Sequence, residues 1–171
     1  TFNTADSDWH PVTLSDGSAA EYPRWFRPEP LAGGGFRALA PDGVEIAIQP
    51  KGMDFFDQTC FPWLDDYPAD MSGLPAAMGR VHWAALAHSP WDHAGDPDFW
   101  RTLRANALAL RRQADRAIMV VVGCNLFEWG TFLRRIDNFL MDLLLEPEKV
   151  EALLDALMEK HLATLKKVCE A

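Results

Sequence analysis

Ala117-Ile118-Met119-Val120-Val121-Val122-Gly123 is the stretch on which the fold class turns. It is an unbroken apolar run rich in β-branched side chains, with Asp115-Arg116 before it and Gly123 closing it. A run with no polar face has nothing to offer water. The pattern therefore predicts a strand covered on both faces, as in a parallel sheet sandwiched by helices, with near-zero exposure along its length.

The flanks read as helices. Upstream, Asp96-Pro97-Asp98 pairs a capping Asp with a Pro at the first helical position. Trp100, Leu103, Ala107, Leu110 and Ala114 then form one apolar stripe, and Arg101, Arg104, Arg111 and Arg112 lie mostly off it as a solvated face. Downstream, a helical stretch opens at about Leu126 and another helix at Glu146-Pro147-Glu148. There Val150, Leu153, Leu154, Leu157, Leu165 and Val168 recur at helical spacing, opposite Glu151, Asp155, Glu159 and Lys166. Helix, buried strand, helix, helix is one turn of an α/β fold.

Residues 1–50 carry turn signals at Ser15-Asp16-Gly17, Gly33-Gly34-Gly35 and Pro41-Asp42-Gly43. Val44, Ile46 and Ile48 alternate with Glu45, Ala47 and Gln49, which predicts a half-buried strand. Phe36 to Leu39 supply the other arm of a hairpin. Residues 51–68 hold Phe55, Phe56, Phe61, Trp63 and Tyr67 among Pro and Asp, too aromatic for a solvated linker and too broken for a long helix.

Composition narrows the function classes. Hydrophobic residues make up 49% and charged residues 24% of the 171, as in a folded globular domain. The net charge of −9, with its basic residues scattered among acids, leaves no footprint for a nucleic-acid backbone. The apolar run Ala117 to Val122 is far short of the ~20 residues of a membrane helix. Three cysteines, Cys60, Cys124 and Cys169, form no CxxC pair and fit a reducing, cytoplasmic setting better than a disulfide framework. The chain starts at Thr1 and ends on a helical pattern with no Gly or Pro stop, so the natural polypeptide is expected to continue at both ends.

The segment from Gly123 through Leu126-Phe127-Glu128-Trp129-Gly130-Thr131-Phe132-Leu133-Arg134 to Phe139-Leu140-Met141-Asp142, followed by Glu146-Pro147-Glu148, resembles the uroporphyrinogen decarboxylase superfamily. In that family a strand ends in Gly, a helix runs through a Phe-Glu-x-Gly-x-Tyr/Phe-Leu-Arg-like pattern, and a Phe-Leu-x-Asp segment precedes a Pro-Glu helix start. The likeness is strongest over residues 97–171. It is looser over about 10–96, where the hairpin and Lys51-Gly52-Met53-Asp54-Phe55-Phe56 resemble the cover insertion of the methyltransferase-like branch. The resemblance implies an α/β fold of the (β/α)8 TIM-barrel kind. It would be present as a partial barrel: residues 1–70 an irregular β-hairpin cover region, residues 71–171 the barrel helices with strand 117–123. The barrel would be completed beyond residue 171 by remaining segments or another chain.

Barrel chemistry sits at the carboxyl ends of strands, so the resemblance directs attention to Cys124, Asn125, Glu128 and Trp129. Glu128 near a helix start gains from the helix dipole whether or not it does chemistry. Its functional reading is a general acid/base or a hydrogen-bond acceptor in the barrel mouth. Asn125 is either a helix cap or an amide presented to substrate. Cys124 is either a small buried apolar residue or a substrate contact. Trp129 and the Phe55-Phe56 pair are candidate aromatic walls for a flat ligand. His88 with Asp92-His93 is the nearest approach to a metal cluster.

Two chemistries of the family separate here. Its porphyrinogen decarboxylases place a tyrosine on the helix after the strand, where this chain carries Phe132. Its corrinoid-linked methyltransferases use a corrinoid on a partner protein and a zinc whose His and Cys ligands would lie outside this segment. The resemblance thus implies methyl transfer from a small substrate, with decarboxylation of a porphyrinogen, or a non-catalytic fragment acting in assembly, as alternatives.

Overall fold

The computed structural model describes residues 9–14, 16–24, 26–40, 42–81, 95–120, 122 and 125–171. They fall into two compact units, Thr1–Pro62 with Gly79–Ser89, and Trp63–Met78 with Pro90–Ala171.

The first unit is antiparallel. β1 (Trp9–Thr13) pairs with β2 (Ala19–Pro23), and β3 (Glu29–Pro30), β4 (Gly35–Leu39), β5 (Glu45–Pro50) and β6 (Asp57–Gln58) form a four-stranded sheet in that order. The β4–β5 hairpin forms where its alternation predicts: Ala40 and Val44 close the turn by a 2.8 Å backbone bond, and Gly43 takes the positive φ. Gly35 opens β4 with φ +85°, and a Cβ there would stand 2.2 Å from the Gln49 carbonyl oxygen, so only glycine fits. Strict alternation fails along β5. A register shift between Ala38 and Leu39 leaves Ile46 without a partner across the ladder, and Ile46, Ala47 and Gln49 are all buried while Val44 is exposed. An extra residue in one strand kinks it and turns consecutive side chains inward. Phe26, Ala38, Ile46, Ala47 and Phe56 make this unit's core.

The second unit contains α1 (Leu74–Met78), α2 (Pro97–Gln113), α3 (Leu126–Arg134), α4 (Ile136–Leu145) and α5 (Pro147–Glu170). α2 starts where its signal stands: the Asp96 carboxylate accepts from the Asp98 N–H at 2.8 Å. Leu103 is buried, but Leu110 at the far end of the anticipated stripe is about half exposed. The stretch after Leu126 is two helices rather than one. Arg135 interrupts it with φ 66° and ψ 144°, a region that disfavours side chains, and its guanidinium holds the Asp137 carboxylate through two 2.6 Å hydrogen bonds. The break turns Phe139 back onto Gly130. Leu133, Phe139, Val150, Leu153 and Leu157 form the buried centre of α3, α4 and α5.

The barrel expectation is overturned. Residues 117–120 and 122 carry no strand, Met119 is 87% exposed, and every strand pairing among the described residues is antiparallel and lies between Trp9 and Gln58. The expected central parallel strand at 117–123 is therefore absent from the described residues, and with it the (β/α)8 arrangement over 71–171. The physical reason is that a strand's preference is a preference for neighbours. β-branched side chains favour a pleated surface already flanked by other strands, and no described strand runs beside this one.

Candidate functional site

α3 carries the residues that the sequence singles out. Its backbone begins with the Trp129 N–H donating to the Asn125 carbonyl at 2.9 Å, so Asn125 stands at the helix start. The Asn125 side chain makes no capping hydrogen bond and is exposed, which leaves its amide open to a ligand. Glu128 lies in the first turn, also exposed. Its carbonyl accepts from the Thr131 hydroxyl at 2.9 Å, and its carboxylate is unpaired among the described residues. Trp129 is half-buried against Phe132, ring centroids 6.3 Å apart and edge to face. Residues 125, 128 and 129, spaced by three and one, share one side of the first turn. Cys124 lies outside the described residues, as do His88, Asp92 and His93.

Phe55 and Phe56 belong to the first unit and part company. Phe55 is 55% exposed, whereas Phe56 is 7% exposed and meets the Phe26 ring edge to face at 5.2 Å. Phe56 is occupied by the sheet core, and only Phe55 offers a free ring face.

A second constellation, unremarked in the sequence, joins the segment 63–67 to α3, α4 and α5. Arg134 Nε donates to Asp142 Oδ2 at 2.7 Å and Nη2 to Oδ1 at 3.3 Å, and both side chains are largely buried. Arg134 Nη1 donates to the Trp63 carbonyl at 3.2 Å and to that of Leu64. Asn138 Nδ2 donates to the Leu64 carbonyl at 2.9 Å, and the Trp63 N–H to the Leu133 carbonyl at 2.9 Å. One guanidinium thus ties an otherwise irregular segment to the helices.

Tyr67 sits inside this clamp, its ring stacked on Trp63 at 5.5 Å and 16°. Lys149 Nζ lies 4.5 Å and the Arg134 guanidinium carbon 5.7 Å from the ring centroid. Lys149 also bonds the Asp66 carboxylate, and Glu146 lies 3.4 Å away. The Tyr67 hydroxyl is buried without a hydrogen-bond partner among the described residues. Burial, and after it the Asp142 carboxylate, holds the phenol above its ordinary value, so it is a standing donor at neutral pH.

The cations here are already spent on carboxylates and carbonyls, so the cluster is built to fasten helices rather than to receive an anion. Its sequence signal was the Arg134 and Asp142 of the quoted motif. What hid it was distance along the chain: Tyr67 and Lys149 are far apart in sequence and adjacent in space.

Among the described residues no three His, Cys, Asp or Glu side chains converge as a metal site. The zinc implied by the resemblance has no ligand set among them. No described helix is long and apolar enough to cross a membrane. No family model, no curated protein and no solved structure matches this chain.

Proposed function

We propose that this chain is a segment of a methyltransferase-like enzyme of the uroporphyrinogen decarboxylase superfamily, acting in the cytoplasm on a small methylated substrate with a corrinoid carried by a partner protein. The reading rests on the motif and its packing, not on an architecture. One observation carries it: the separated pieces of the motif meet. Gly130 of the Phe-Glu-x-Gly piece lies so close to Phe139 of the Phe-Leu-x-Asp piece that a Cβ would stand 2.4 Å from the ring. Arg134 of the first piece pairs with Asp142 of the second, and Val150 and Leu153 beyond the Pro-Glu start are buried with them. An ordered set of residues whose members depend on one another is harder to match by chance than the same residues scattered.

In this reading the exposed side of the first turn of α3 faces substrate. Asn125 presents an amide, Trp129 a ring, and Glu128 a carboxylate able to accept a hydrogen bond or move a proton. The corrinoid would supply the methyl-accepting metal. Methyl transfer is favoured over porphyrinogen decarboxylation because Phe132, packed against Trp129, stands where the decarboxylase branch places a tyrosine.

The test is to incubate the full natural polypeptide with reduced free corrinoid and a panel of methylated amines, thiols and ethers, following the corrinoid spectrum. Methylation of the corrinoid is the expected result, and decarboxylation of a porphyrinogen without methylation would replace this reading with the other. Glu128→Gln should then lower turnover by ~10²-fold or more with little loss of stability if the carboxylate moves a proton. Unchanged turnover removes Glu128 from the reacting groups.

A further inference from the structure

Met158, Leu162, Leu165 and Cys169 recur along α5 at intervals of four, three and four residues, and all are exposed, the first three by 44%, 58% and 40%. They flank the buried face, with Leu154 and His161 half-buried between the two. At about 100° per residue, the centre of this strip lies about 117° round the helix from that of Val150, Leu153 and Leu157, which pack inside the unit. The interval is that of seam positions in a seven-residue coiled-coil repeat, with Leu162 and Cys169 at a and Met158 and Leu165 at d. Glu159 and Lys166 then both fall at e, on one rim of the strip. Both are exposed, and neither is paired among the described residues.

The charges choose an occupant. In an antiparallel pair of α5 helices each a residue faces a d residue, so Leu162 meets Leu165 of the second copy and Met158 meets Cys169. The e rims then face each other, bringing Glu159 against Lys166 of the second copy twice, once on each side of a two-fold axis. A parallel pair would instead set Lys166 beside His161 at g and leave Glu159 facing Leu154, forming no ion pair. The geometry points to residues 158–169 of α5 as a self-docking surface, on which a second copy of this chain binds antiparallel to form a two-fold dimer.

Crosslinking tests this in the full natural polypeptide with Cys60 and Cys124 changed to Ser. Cys169 alone should give no link to its counterpart, because antiparallel pairing sets the two about 16 Å apart along the axis. Adding Met158→Cys should yield, on mild oxidation, a covalent dimer whose linked peptides join residue 158 to residue 169. The two positions cannot link within one helix, being eleven residues apart. In sedimentation equilibrium Glu159→Lys should weaken the dimer about tenfold, and adding Lys166→Glu should restore it. Leu162→Asp, at an exposed position, should abolish the dimer while leaving the circular dichroism spectrum unchanged. A 169-to-169 link, a dimer indifferent to Leu162→Asp, or a monomer throughout the concentration range would each overturn the inference, the last leaving the strip bare or covered by another part of the same polypeptide.

Discussion

The four-stranded sheet and the α3–α5 cluster hold together by different means. The sheet core is apolar: Phe26, Ala38, Ile46, Ala47 and Phe56 pack without a charge among them, and the cross-strand ion pair of Glu29 with Arg37 lies at the surface. The helical cluster puts an arginine and an aspartate inside, and spends that arginine's Nη1 on the backbone of residues 63 and 64. A sheet satisfies its backbone through its own ladder and can close over hydrocarbon alone. The irregular segment 63–67 has no ladder, so its carbonyls need donors from elsewhere, and Arg134 and Asn138 supply them.

The sharpest way to break this comparison is Asp142→Ala. It leaves the Arg134 guanidinium buried without its carboxylate, and denaturant unfolding of the helical unit should show a loss of about 3–5 kcal/mol. A loss below about 1 kcal/mol would mean that the pair is as dispensable as a surface one. Gly130→Ala comes next. Its added methyl has no room against Phe139, and a cost of about 1–3 kcal/mol is expected by the same measurement.

Tyr67→Phe should move stability the other way. It removes a buried hydroxyl that has no partner, and a gain of up to about 1 kcal/mol at neutral pH is expected. The pH dependence carries a second signature. Because the folded state holds the phenol above its ordinary value of 10.0, the unfolded chain ionises first, and the stability due to this group is full below pH 10 and declines as pH rises from there through the folded value. Unfolding followed from pH 9 to 11 should fall less steeply in Tyr67→Phe than in the unaltered protein. Equal slopes would show that the fold does not hold the Tyr67 phenol above its ordinary value. The smallest effect is reserved for the sheet: Glu29→Gln breaks a half-exposed pair and should cost about 0.2–1 kcal/mol, diminishing further in salt.

Legibility followed the range of the interactions. The start of α2 at Asp96-Pro97 and the start of α5 at Pro147 are settled within a few residues by capping and by proline's fixed φ, and both stand where the sequence puts them. The β4–β5 hairpin is equally local. The bulge at Ala38/Leu39 is not, since nothing in the alternation of Val44 to Gln49 announces an extra residue. Of the candidate site, Asn125, Glu128 and Trp129 could be grouped from helical spacing alone, while the separation of Phe55 from Phe56 depended on which ring the sheet core took up.

By itself, then, the sequence determined the helix starts, the hairpin turn and the buried stripe Val150, Leu153 and Leu157 of α5, because each is decided by backbone preferences or periodicity within one or two turns of chain. Only the tertiary structure decided that the run Ala117 to Val120 forms no strand and that Arg135 splits a helical stretch in two. It alone joined Tyr67, Arg134, Asp142 and Lys149 into one cluster. A strand exists only beside another strand, and a buried charge is stable only beside its opposite, so both are settled by what the rest of the chain brings alongside.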